Sequence, residues 1–288
     1  MKNTLVQQHK NEGRFINVEG YNAFVYEKGN GEPVICFHGV PTSSFLYRKV
    51  IEGLAQSGYR GISFDILGLG LSDRPKDYDY SWTSLGEWCA KLINQLDYEQ
   101  FHVILHDIGG PIGSEVLSKM PERVLSLTIL NTLLTDLGNF KKPFPMHYYE
   151  KKGIGELLVS ISHPVVFKKL MHRRGIHRNE VFGNAEAKAY IDLFKGNDGG
   201  KSFLKIMRSF DATAQKSELY LSTLRNLEVP KQIIWGINDK GLTLEKYGEP
   251  LRTAIGLEKK IIRNEGSHFL QEDYPEVVVE NVIELIEN

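Results

Sequence analysis

Read only for apolar and polar positions, the chain alternates two kinds of run. Residues 33–37, 61–65, 101–105, 124–130, 232–235 and 260–262 are short, nearly continuous apolar stretches rich in Ile, Val, Leu and Phe. Strands buried on both faces read this way, as in a parallel sheet covered by helices. Between them lie amphipathic stretches of helical period: residues 84–96 before the third run, 112–120 after it, ending at Pro121, and about 275–286 at the end. Strand–helix alternation of this kind predicts a doubly wound α/β architecture with a mostly parallel sheet.

The alternation stops between residues 134 and 225. That stretch reads as helical with no defensible strand, which predicts a core of residues 1–133 and 226–288 and a helical cap of residues 134–225 over the carboxyl ends of the strands. Ligands bind at that edge in open α/β sheets. Charge divides along the same line. Residues 138–225 carry 16 Lys and Arg against 8 Asp and Glu, and the rest of the chain 19 against 28. A solvated basic face explains this; a steering field for anionic substrates is the sharper alternative.

Bulk composition narrows the function classes. The 288 residues are 41% hydrophobic and 25% charged, which suits one α/β core with an insertion. A net charge of -1 gives the whole molecule no electrostatic reason to bind nucleic acid or a membrane surface. Cys36 and Cys89 sit in apolar runs and read as inert buried thiols rather than a disulfide or metal framework. The first ten residues lack the apolar run of a signal peptide, and no stretch approaches a membrane span, so a soluble cytoplasmic protein is expected, with no cofactor and no metal.

The chemistry concentrates where the third apolar run ends, at Leu105-His106-Asp107-Ile108-Gly109-Gly110-Pro111. A buried strand meets a polar residue, then glycines and a helix: the setting of a nucleophile elbow, whose apex projects above the sheet. Gly109 and Gly110 supply the small neighbours the turn requires. The free N–H groups of the following helix favour an ionised Asp107. A hydroxyl at such an apex suits attack on acyl carbon. A carboxylate suits displacement at saturated carbon, giving an ester of the protein that water must then open.

Opening the ester needs a base and an oxyanion hole. His268, in Gly266-Ser267-His268-Phe269 after the last strand, is the base candidate. Asp239, in Gly236-Ile237-Asn238-Asp239 after the preceding strand, is the acid that would orient it. Taken singly, an Asp at a strand end reads as a helix cap and a loop His as surface, since the chain has 9 histidines. The signal is their conjunction, in this order, each after its own strand. Phe37-His38-Gly39-Val40-Pro41-Thr42 follows the first core strand. The backbone N–H groups of Val40 and Ile108 would hold the oxyanion, where losing a donor typically costs ~3 kcal/mol.

The segments His38-Gly39-Val40-Pro41-Thr42-Ser43-Ser44-Phe45-Leu46-Tyr47-Arg48, His106-Asp107-Ile108-Gly109-Gly110 and Asp65-Ile66-Leu67-Gly68-Leu69-Gly70-Leu71-Ser72-Asp73 resemble those of haloalkane dehalogenases and epoxide hydrolases. The resemblance covers about residues 30–132 and 226–288. It implies the α/β-hydrolase fold, Asp107 as nucleophile, His268 as base and Asp239 as acid. Asn131 stands where some dehalogenases place their acid and cannot serve as one, which adds weight to Asp239.

The resemblance also separates two chemistries. Dehalogenases hold the departing halide with side-chain N–H donors: an indole directly after the nucleophile, where this chain has Ile108, and a further donor from a cap Trp or from an Asn at the position of Val40. The tryptophans here are Trp82, Trp88 and Trp235, all outside the cap. Epoxide hydrolases use cap tyrosines to donate a proton to the ring oxygen. The substrate-binding candidates are Tyr148, Tyr149, Tyr190 and His147; Tyr220 stands too near Asp239 in the chain. Tyrosines of this kind also simply pack a cap. The expected activity is epoxide hydrolysis on a small, mostly apolar electrophile, with haloalkane dehalogenation as the alternative. A non-catalytic small-molecule receptor on the same fold is the outside alternative.

Overall fold

The computed structural model describes residues 4–288. Eight strands form one sheet: β1 Arg14–Val18, β2 Tyr21–Lys28, β3 Pro33–Phe37, β4 Arg60–Phe64, β5 Phe101–Asp107, β6 Val124–Thr132, β7 Lys231–Gly236 and β8 Ile262–Asn264. Their spatial order is β1-β2-β4-β3-β5-β6-β7-β8. All neighbours from β4 to β8 run parallel; β2 pairs antiparallel with both β1 and β4. The central strands are apolar on both faces because helices cover both: Val103, Ile104 and Leu105 of β5 are all buried.

The sequence reading omits the hairpin β1–β2. Its two-residue turn is Glu19-Gly20, both at positive φ, rather than the Asn-Gly or Asp-Gly that marks such hairpins. The last strand lies two residues beyond the predicted 260–262. The helix after Asp107 is Gly109–Leu117, three residues earlier than the predicted start at Ile112. Gly-Gly-Pro has poor helix propensity, but a first turn needs no N–H from Pro111. Close packing requires the glycines there. A Cβ on Gly109 would lie 2.6 Å from the Phe37 carbonyl oxygen, and one on Gly110 would lie 2.0 Å from Thr132 Oγ1.

Helix Trp82–Leu96 shows how one sequence pattern makes one layer. The Ser81 hydroxyl caps it by accepting the Ser84 N–H. Leu85, Trp88, Cys89, Leu92, Ile93 and Leu96 form its buried face, and Asp97 ends it in left-handed conformation. Between β6 and β7 the described residues contain helices and turns and no strand, the helices being Ile154–Ile161, Pro164–Leu170, Asn184–Lys195, Lys201–Arg208 and Ala214–Asn226. Met171–Gly175 is a π-helical turn continuing the second of these. Pro164–Leu170, the π-helical turn, Asn184–Lys195, Lys201–Arg208 and the stretch 140–149 line a cavity at the carboxyl ends of β3, β5, β6 and β7.

Candidate active site

Asp107 is the last residue of β5, and its φ of 51° puts it in the left-handed region, where a non-glycine side chain is strained. The strain is held from several sides. Thr132 Oγ1 donates to the Asp107 carbonyl at 2.6 Å, where the β5–β6 register shifts. Gly39 leaves room for the carboxylate, since a Cβ there would stand 2.1 Å from Oδ1. The Val40 N–H donates to Oδ1 at 2.8 Å, and the Ile108 backbone helps to lower the pKa of the carboxylate.

Opposite it stands His268. Its Nε2 lies 3.6 Å from Asp107 Oδ2 and its Nδ1 2.8 Å from Asp239 Oδ2. Asp239 is almost fully buried and fully bonded. Its Oδ1 accepts from the Gly241 and Leu242 N–H groups at 2.7 and 2.9 Å, and its Oδ2 from Asn131 Nδ2 at 2.9 Å. The structure thus brings together Asp107, His268, Asp239 and the two backbone N–H groups singled out in the sequence.

Charge follows geometry. Burial alone would lower the His268 pKa, but the Asp239 and Asp107 carboxylates outweigh it and push it up to about 10. Burial alone would raise Asp107, yet the nearby imidazole of His268 brings it below the ordinary carboxylate range. Asp239 is lowered in the same way, first by the charge of His268 against its own burial. At neutral pH the resting site therefore holds an imidazolium between two carboxylates.

His106 was not singled out in the sequence. Its Nε2 bonds the His268 carbonyl oxygen at 2.9 Å, its ring lies 4.7 Å from that of His268, and burial pushes its pKa down to about 3. A neutral imidazole donating from Nε2 fixes the backbone of the base. Asn131, read only as a missing acid, is a donor to the acid and also accepts the Gly236 N–H at 2.9 Å. Asp273 ties the histidine loop to the helical segment, accepting the N–H groups of Ser267, His177 and Arg178. A buried Asp five residues past a loop His is the signal that could have found it.

The cap expectations divide. Tyr149 lines the cavity, with Ser162 beside it, and burial raises its pKa. Tyr148 and His147 do not line it. Their rings lie 4.0 Å apart, and the Tyr148 ring also sits edge-on to Phe144. Tyr190 is a correction: it is buried away from the cavity, donating to Glu272 Oε1 at 2.9 Å among Phe45, Phe167 and Phe182. Tyr220 likewise donates to Glu115. None of Trp82, Trp88 and Trp235 lines the cavity, and the Trp235 indole N–H is spent on the Leu242 carbonyl. The thiols of Cys36 and Cys89 are buried, and burial pushes both up. Among the described residues no cluster of His, Cys, Asp and Glu could hold a metal, and no helix is long and apolar enough to cross a membrane.

A parallel sheet with an acid–histidine–acid set at its carboxyl edge under helices defines a class, the α/β hydrolases. The chain belongs to the alpha/beta hydrolase fold family, whose model matches residues 32–275. It is 30% identical over 291 residues to epoxide hydrolase 1 of Caenorhabditis elegans, an alignment covering 94% of this chain and 69% of that protein. A haloalkane dehalogenase of Psychrobacter cryohalolentis is 34% identical over 119 residues, 39% of each chain. The crystal structure of an epoxide hydrolase from Vigna radiata superposes with a TM-score of 0.77 at 22% identity, covering 96% of this chain and 97% of that one. This last likeness speaks for the fold.

Proposed function

We propose that the protein hydrolyses epoxides through an ester on Asp107. The observation that carries this reading is the strained carboxylate of Asp107, with Oδ1 held by the Val40 N–H and Oδ2 facing His268. Oδ2 would attack a ring carbon as the C–O bond of the epoxide breaks. The Tyr149 hydroxyl, on the same cavity wall, would protonate the departing oxygen. A hydroxyalkyl ester results.

Esterification removes the negative charge of Asp107, one of the groups that holds His268 protonated. The imidazole pKa then falls, its resting proton passes to the Tyr149 phenolate, and the neutral His268 takes a proton from water as the water attacks the ester carbon. Oδ1 becomes the oxyanion, already bonded to the Val40 N–H, with the Ile108 N–H as the second donor of the hole. Collapse breaks the bond from the Asp107 carbon to the alkyl oxygen, the hydroxyl proton of the tetrahedral carbon passes to that departing oxygen, and the diol leaves with the Asp107 carboxylate and the His268 imidazolium restored. Epoxide and water give diol, with atoms balanced.

Haloalkane dehalogenation is the second reading, favoured by the dehalogenase relative. A departing halide needs donors in place of the ring-opening proton, and the three indoles lie off the cavity. A receptor without turnover would have no use for a bonded acid–histidine pair. To test the proposal, the His268→Gln variant is incubated with styrene oxide and with 1-bromobutane, and the intact protein and its peptides are weighed. The reading expects one epoxide mass on the peptide carrying Asp107. No added mass with any epoxide overturns it; mass from the bromide alone selects the second reading.

A further inference from the structure

One cation on the wall of the Asp107 cavity has no hydrogen-bond or ion-pair partner for its side chain among the described residues. Arg174 lines the cavity from the π-helical turn, and among the described residues its guanidinium nitrogens meet no acceptor. It lies instead over the Phe144 ring, 5.3 Å from the centroid, and Phe144 is itself 55% exposed, so the pair marks the mouth of the cavity. The backbone beneath is fixed. Ser267 Oγ donates to the Arg174 carbonyl at 2.9 Å, and the Phe269 N–H donates to the Gly175 carbonyl at 2.9 Å, so the backbone that bears this side chain is registered against the loop that carries His268. A second cation, Lys142, also lines the cavity, but Glu150 pairs with it at 2.8 Å. The rest of the cavity wall is mostly apolar, with Met146, Phe167, Met171 and Phe210 among its lining residues.

Resting on the epoxide reading above, we propose that Arg174 selects substrates bearing a carboxylate at the end of an apolar spacer, with the electrophilic carbon at the other end. A half-buried, unpaired guanidinium beside apolar walls gains most from a planar anion that its fork can bond twice. A carboxylate fits that fork; a phosphate would call on more donors than one arginine gives. The spacer is required because a carboxylate next to the reacting carbon would meet the negative charge of Asp107. Contact and general field differ in reach. Arg173 is exposed and does not line the cavity, so its charge acts only through solvent.

The experiment uses matched terminal epoxides of increasing methylene spacer, each as the free acid, the methyl ester and the phosphate monoester, on the wild-type protein and on Arg174→Gln, Arg174→Lys and Arg173→Gln. In parallel, calorimetry measures binding of the unreactive pair 4-phenylbutanoate and 4-phenylbutanol, which needs no turnover. The proposal expects the wild type to favour acid over ester by about tenfold or more in kcat/KM at one best spacer, the worth of a charge-assisted hydrogen bond. It expects that ratio to collapse in Arg174→Gln, to recover in part in Arg174→Lys, and to survive in Arg173→Gln. Phenylbutanoate should bind more tightly than phenylbutanol to the wild type and lose that margin in Arg174→Gln. Equal acid and ester rates with equal binding, or equal effects of Arg173 and Arg174, overturn it, and a preference for the phosphate replaces the carboxylate. Anion binding that depends on Arg174 without turnover of any epoxide sinks the epoxide reading and leaves the anion site standing.

Discussion

Nε2 of His268 lies 3.6 Å from Oδ2 of Asp107, near enough for each charge to set the other and too far for a short hydrogen bond. The imidazole is held up to about 10 by two carboxylates, against its own burial. Removing one charge without changing the shape should therefore release it. In Asp107→Asn, the His268 pKa read by NMR should drop well below 10 toward the ordinary 6.5, and turnover should vanish. An unchanged histidine pKa in that variant would show that Asp239 alone holds the proton, and that esterification cannot free the base.

The same coupling makes stability depend on pH. A histidine whose folded pKa is raised contributes fully below its unfolded value of 6.5 and loses that contribution as pH rises toward about 10. His9 and His106 are shifted the other way by burial, to about 4 and about 3, so each costs stability as pH falls below 6.5. Chemical denaturation across pH should give a maximum near pH 6.5 with a limb on either side. His268→Gln should flatten the alkaline limb and keep the acid one. An alkaline limb unchanged in that variant would mean that other groups carry it.

How much of this was legible follows from which signals are local. The apex at Asp107 could be read because a buried strand, one polar residue and two glycines stand side by side in the chain. Asp239 and His268 could be read because each follows its own apolar run. The hairpin β1–β2 escaped because Glu19 takes the left-handed position where Asn would have announced it. Which of Tyr148 and Tyr149 faces the cavity depends on where the short turn Met146–Tyr148 ends, which no periodicity reveals. Arg174 was hidden for a related reason: a π-helical turn shifts every later side chain off the 3.6-residue pattern. Asn131 was read by what it cannot do, while its role as a donor needs the neighbouring strand.

Asn131 offers a test of that role. It is fully buried, and its side chain serves both Asp239 and the backbone of Gly236. Asn131→Ala leaves a buried N–H and a carboxylate each short of a partner, which should cost about 1–3 kcal/mol for each unsatisfied group. The melting temperature should fall, and turnover should fall with it as Asp239 loses its fixed orientation. If the protein keeps its melting temperature, a water fills the gap and the Asn is dispensable.

Tyr149 and Tyr190 can be told apart by the same substitution. Both phenols are buried enough that their pKa values rise, but only Tyr149 reaches the cavity, while Tyr190 serves Glu272. Glu272 keeps its ion pairs to Arg48 and Lys49 when Tyr190 is gone, so Tyr190→Phe should cost ~1 kcal/mol of stability and little turnover. Tyr149→Phe removes the proposed proton donor to the ring oxygen, and epoxide turnover should fall by roughly 10²–10⁴, the usual worth of a positioned acid. A halide leaves without a proton, so any haloalkane turnover should survive Tyr149→Phe. Equal losses on epoxide and haloalkane would instead mark Tyr149 as a wall of the cavity, and the ring-opening proton would have to come from elsewhere.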